Sequence, residues 1–296
     1  MKTASTFLLI SLCLTQATSV IGAEQTVWPL WKGEAPVASG ITEPASGQIT
    51  VHRPPAGKAN GTSVLICPGG GYGGLVVGAE GHGIATWLNK HGITGIVLEY
   101  RLPKGRQDVP LGDAQRAMRM VRFYAKDWGL DPERIGIIGF SAGGHLASGV
   151  ATTINNGAPD AVDPIDRLGC RPAFAILVYP VISMGPLGHA GSRKNLLGAN
   201  PALGLIEEFS NEKHVTDDTP PTFLAHAADD KVVVPDNSRL FYKALKEHEV
   251  PAEYLELPTG GHGLNGYKGP SWDAWQKRSL QWLAEQKFIP EADAPK

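Results

Sequence analysis

Gly139-Phe140-Ser141-Ala142-Gly143 stands between a run that reads as a strand and one that reads as a helix, and that junction decides the fold. The preceding run, Arg134-Ile135-Gly136-Ile137-Ile138-Gly139, is short, apolar and β-branched, the pattern of a buried strand in a parallel sheet. After the serine, Ala142 to Ala151 holds mostly small residues, suited to a helix packed close on that sheet. A strand-to-helix turn at one residue forces strained backbone on it. Glycines two before and two after remove the side chains that would collide there. The serine hydroxyl is thereby held at the carboxyl edge of a sheet beside a helix N-terminus, a nucleophile's position. A chain with 36 glycines can produce such a pentapeptide by chance. The motif therefore carries weight only if the rest of the chain supplies a base, an orienting acid and oxyanion donors in order.

Working outward, strand-like and helix-like segments alternate from about residue 48 onward. Gln48–Arg53, Thr62–Cys67, Thr94–Tyr100, Arg134–Phe140, Ala173–Tyr179, Thr222–Ala227 and Glu253–Leu257 read as strands. Gly83–Lys90, Asp113–Trp128, the run after Ser141, Asp236–His248 and Ser271–Gln286 read as helices. In Asp113–Trp128 the apolar Ala114, Ala117, Met118, Val121 and Ala125 recur at helical spacing. Repeated β–α units predict an α/β fold, a mostly parallel central sheet with helices on both faces. Residues 182–221 break the rhythm, with scattered Gly and Pro and one good helix candidate around Pro201–Phe209. A stretch that long in a compact domain is functional or partly structured, and it reads as a short lid-like insertion over the sheet edge. Glu24–Gly47, rich in Gly, Pro and Trp, is expected to wrap the outside of the domain.

Residues 1–23 have the form of a secretory signal peptide: Lys2, an apolar Phe7–Leu14 and a small-residue end at Ile21-Gly22-Ala23. The expectation is export, to the periplasm or beyond the cell, with residues 24–296 forming one large α/β domain. The apolar stretch is shorter than a membrane span requires, and Leu12 before Cys13 does not suit a lipid-modified cysteine. No membrane anchor is expected. The net charge of −2 is dispersed and points to no nucleic-acid partner. Cys67 and Cys170 both border predicted strands, and two cysteines make no disulfide framework. There is no His-Glu-x-x-His or Cys-x-x-Cys pattern, so neither metal nor cofactor is expected. Nothing in the sequence speaks to oligomeric state.

Acyl transfer at a serine needs a base, a carboxylate to orient it, and backbone donors where the oxyanion forms. The base candidate is His262, in Thr259-Gly260-Gly261-His262-Gly263 between the last strand and the last helix. The acid comes from Asp229-Asp230, at the carboxyl end of the strand Thr222–Ala227. Asp229 and Asp230 compete for that role. Taken alone, two acids in a turn are as readily a self-solvating turn. Oxyanion donors are expected from Cys67-Pro68-Gly69-Gly70-Gly71-Tyr72, after the strand Val64–Ile66, with the Ala142 amide beside them. A phosphate cradle is the alternative for such a loop, but no Lys-Ser/Thr follows it. His145 and His226 read as packing residues, and His82, His91, His189, His214 and His248 lack a neighbouring constellation. Tyr72, Tyr267 and Trp272 flank the site loops and are candidates either for stacking on a sugar ring or for ordinary packing.

Together these segments resemble the esterase/lipase branch of the α/β-hydrolase superfamily with a Gly-Gly-Gly oxyanion loop, in particular secreted acetyl-xylan-esterase-like proteins. The likeness is carried by Cys67–Gly74, Glu99-Tyr100-Arg101-Leu102, Asp113–Ala117, Gly139–Ala147, His226–Asp230 and Gly260–Gly263. It implies Ser141 as nucleophile, His262 as base and Asp230 as orienting acid, with Gly70, Gly71 and Ala142 as oxyanion donors. The implied substrate is an acylated polysaccharide or a small ester. Pro68 departs from the pattern, standing where many relatives have histidine. Proline has no N–H, so the hole must rest on the glycines after it. Feruloyl and other carbohydrate esters remain open as substrates. A prolyl-oligopeptidase-like peptidase would share the Ser-Asp-His order but usually carries a large extra domain. A binding module built on this fold would typically have lost one triad member.

Overall fold

The computed structural model describes residues 25–38 and 40–295. The expected leader, residues 1–23, lies outside them. Among the described residues there are ten strands: β1 Gln25–Pro29, β2 Glu34–Ala38, β3 Ile41–Pro44, β4 Gln48–His52, β5 Ser63–Cys67, β6 Thr94–Glu99, β7 Ile135–Phe140, β8 Ala175–Val178, β9 Thr222–Ala227 and β10 Ala252–Leu257. Eight form one sheet in the order β1-β4-β6-β5-β7-β8-β9-β10. The pairs from β6 to β10 are parallel, whereas β1 with β4 and β4 with β6 run antiparallel.

The sheet is sandwiched because its central strands are apolar on both sides. In β5, Leu65 and Cys67 join one core with the helices Asp108–Phe123, Ala142–Thr152 and Asp236–Glu247. Val64 and Ile66 join the other, with Gly83–Asn89 and Pro270–Glu285. Each such side chain contributes roughly 1.5–3 kcal/mol by leaving water. This is the α/β architecture expected from the alternation of segments.

The order places the site. From β5 the chain crosses to β6 on one side, then returns to β7 on the other. Open α/β sheets bind ligands at the carboxyl ends of strands flanking such a reversal. The Gly-rich loop leaves β5 there, and the serine turn leaves β7 there.

Three expectations need correction. Glu24–Gly47 is not merely a wrap: β1 adds an edge strand to the main sheet, and β2 and β3 form their own antiparallel pair. The second helix begins at Asp108 rather than Asp113, with Pro110 in its first turn, where the missing N–H costs no hydrogen bond. Residues 182–221 hold two helices, Ala190–Leu197 and Leu203–Glu208, where one was expected. Cys67 and Cys170 are both buried and free. Among the described residues no helix is long and apolar enough to cross a membrane.

Candidate active site

Ser141 turns the chain from β7 into the helix Ala142–Thr152 with φ 52° and ψ −120°, a conformation that costs on the order of 1–3 kcal/mol unless its surroundings enforce it. They do. The Ser141 amide donates to the Val178 carbonyl at 3.2 Å, and its own carbonyl accepts from Val181 and Gly144 at 2.9 and 3.0 Å. The helix can approach this closely because Gly143 lies against the Cys67 and Pro68 carbonyls, where a Cβ would collide.

His262 enters from the loop after β10. Its Nε2 lies 2.9 Å from the Ser141 Oγ, and its Nδ1 lies 2.7 Å from Asp230 Oδ2. With Asp230 ionised, Nδ1 carries the proton and donates to the carboxylate, so Nε2 is left to accept from the serine hydroxyl. Asp230 is buried at the end of β9, and its Oδ1 accepts from the Val232 and Val233 amides at 2.9 and 3.0 Å. Burial alone would raise its pKa. Hydrogen bonding to His226 and His262 outweighs that and holds the carboxyl well below the usual carboxylate range.

The neighbouring acid has a different job. The Asp229 carboxylate accepts from the Gly261 amide at 2.8 Å and so pins the loop one residue before His262. His226 is a buried support: its Nε2 donates to the Val233 carbonyl at 2.8 Å and lies 3.3 Å from Asp230, while its Nδ1 accepts from Ser238 at 2.8 Å.

The Gly-rich loop is oriented peptide by peptide. The Gly69 carbonyl accepts from Val76, and the Gly70 carbonyl from Gly73 and Gly74. The Gly71 carbonyl accepts from Asn195 Nδ2 at 2.8 Å. In a trans peptide the N–H points opposite the carbonyl, so the amides of Gly70 and Gly71 are turned the other way. Gly70 has φ 127°, a value open in practice only to glycine. The Gly69 amide faces the floor and donates to Glu80 at 2.7 Å. The Ala142 amide, at the start of its helix, is free of any intrahelical acceptor.

Several contributors were not visible in the sequence. Glu80 is buried and accepts from the Gly69 amide at 2.7 Å and from Tyr179 Oη at 3.0 Å. Burial raises its pKa, and these donors only partly offset the rise. His189, read as isolated, caps the helix Ala190–Leu197. Burial lowers its pKa, and the charge of nearby His262 lowers it further, so it belongs to the surroundings of the site. For two of the three aromatics flanking the site loops the packing reading holds. Tyr72 is buried and donates to His145 Nδ1 at 2.8 Å, and Trp272 is buried against Phe140, Tyr267 and Trp275. Tyr267 is half-buried.

His145 is a packing residue: its Nε2 donates to the Phe209 carbonyl at 2.7 Å, and burial lowers its pKa to about 4. A cavity of about 310 Å³ lies beside Tyr72 and His145, lined also by Leu111, Leu196, Phe209 and His214, but neither Ser141 nor His262 lines it.

Residues 49–245 match the family model described as BD-FAE. An acetylxylan esterase of Xylanibacter ruminicola is 36% identical over 80% of this chain and 47% of its own length. The endo-1,4-beta-xylanase B of Butyrivibrio fibrisolvens is 36% identical over 72% of this chain and 34% of its own. The chain thus spans less than half the length of these curated relatives. The crystal structure of an acetyl ester-xyloside bifunctional hydrolase from Caldicellulosiruptor lactoaceticus superposes with a TM-score of 0.84, at 38% identity, covering 92% of this chain and 100% of that one. By the extent of the family match and the likeness in fold, the chain belongs to the BD-FAE family and has the α/β-hydrolase architecture of esterases.

Proposed function

We propose that this chain is an exported serine carboxylester hydrolase that removes small acyl groups, acetyl foremost, from plant polysaccharide such as xylan. The observation that carries the reading is the relay from Ser141 through His262 to buried Asp230, with links of 2.9 and 2.7 Å. Ser141 Oγ attacks the ester carbonyl while His262 Nε2 takes its proton. The carbonyl oxygen becomes an oxyanion facing the Gly70, Gly71 and Ala142 amides. As the carbon–oxygen bond to the sugar breaks, His262 returns that proton to the leaving alkoxide. Water, deprotonated by the same imidazole, then attacks the acyl-enzyme and releases the carboxylate and free Ser141. Asp230 stays ionised throughout, which suits it to stabilise the imidazolium rather than to take a proton.

The substrate class follows from the names borne by the relatives, acetylxylan esterase and acetyl ester-xyloside hydrolase, and from a near-neutral chain suited to a neutral glycan. Export suits a polymer that cannot enter a cell. Acetate release from acetylated xylan, set against p-nitrophenyl esters of rising chain length, tests the substrate. Fluorophosphonate labelling of wild type against Ser141→Ala tests the chemistry, and equal labelling of the two would sink it.

A further inference from the structure

One carboxyl group beneath the site ties two of its loops together. Glu80 Oε2 accepts from the Gly69 amide of the oxyanion loop at 2.7 Å, and Oε1 accepts from the Tyr179 hydroxyl after β8 at 3.0 Å. Each partner adjoins a reacting group. A Cβ built on Gly69 would lie 2.9 Å from Ser141 Cβ, so the oxyanion loop rests directly on the nucleophile's residue. The Tyr179 ring meets the His262 ring edge-on, with centroids 4.9 Å apart.

We propose that Glu80 is a positioning residue for ester hydrolysis. By accepting from Gly69 and Tyr179, it holds the oxyanion loop in register with the Ser141–His262 pair. A buried carboxyl is a costly way to tie loops together, and a hydrophobic side chain would fill the space without fixing either loop. The carboxyl supplies what the geometry requires, two oxygens that accept from different directions. Nothing in Glu80 touches the substrate; it acts through the loop and through the ring packed on His262. The inference rests on the esterase reading above.

The test uses the full chain with Glu80→Gln, Tyr179→Phe and Glu80→Ala, assayed on p-nitrophenyl acetate and by fluorophosphonate labelling, with thermal unfolding alongside. Gln keeps the shape and one acceptor oxygen but loses the other. The expected result is a kcat about 10- to 100-fold lower for Glu80→Gln, the scale of a small misplacement at a reacting centre. KM should stay within about 3-fold, and the labelling rate should fall in parallel. Tyr179→Phe, which leaves the carboxyl in place and removes one donor, should give a smaller drop of the same kind. A merely structural Glu80 would instead lower the melting temperature and leave kcat intact in folded Glu80→Gln and Tyr179→Phe. That result overturns the proposal even if Glu80→Ala fails to fold. If wild type itself neither hydrolyses the ester nor labels, the esterase reading falls and this inference falls with it.

Discussion

Asp230 and Glu80 are two buried carboxyls near His262, one bonded to its ring and the other bonded to the tyrosine packed on that ring. Their surroundings push them in opposite directions. Asp230 accepts from two backbone amides and bonds an imidazole that can carry a positive charge, so its charged form is favoured despite burial. Glu80 accepts from one amide and from one neutral phenol, and burial wins. The lesson is that burial does not by itself set the state of an acid; the number of donors, and whether one of them can carry charge, does.

Removing the charge at Asp230 breaks the comparison most sharply. Asp230→Asn is expected to lower kcat by about 10,000-fold, because an amide favours the wrong histidine tautomer. Steady-state kinetics on p-nitrophenyl acetate measure this, and a loss below tenfold would reassign the acid.

The pH dependence of stability sharpens it. Glu80 has a folded pKa above its ordinary 4.5, so its contribution is fully present below that value and is lost as pH rises through the folded pKa. Asp230 has a folded pKa below its ordinary 3.8, so its contribution is present above that value and is lost as pH falls through the folded pKa. The melting-temperature gap between wild type and Glu80→Gln should therefore shrink as pH rises from 4.5, and the gap to Asp230→Asn should shrink as pH falls below 3.8. Parallel slopes would contradict the assignment.

Smaller effects mark the periphery of the same two regions. Asn195→Ala frees the Gly71 carbonyl from an exposed bond, and kcat should fall by about 3- to 10-fold, in keeping with one hydrogen bond of about 1 kcal/mol. Asp229→Asn keeps an oxygen that can accept from the Gly261 amide, so its kcat should stay within about 3-fold of wild type, as expected when a neutral acceptor replaces a charged one at the surface. A collapse in activity would make Asp229, rather than Asp230, the orienting acid.

Much of this was legible in the sequence because buried parallel strands are continuous apolar runs. β5, β7 and β9 announce themselves, and the loops that follow them carry the glycine, serine and aspartate signatures. β1 and β3 did not, being short, largely exposed and closed by Pro29 and Pro44. The helix Ala190–Leu197 buries only Ser192 and Leu196, so it lacks the apolar stripe that marks a helix in sequence. Glu80 was illegible for another reason. A lone glutamate bonded to a tyrosine ninety-nine residues away leaves no local spacing to read.

Cys67 ends β5 immediately before the oxyanion loop, sealed in the core, where burial pushes its thiol far above the usual range. At neutral pH it holds almost no thiolate, the form that oxidants and disulfide exchange attack. Among the described residues reductant therefore has no crosslink to undo, and the scaffold they build does not depend on the redox poise of its surroundings.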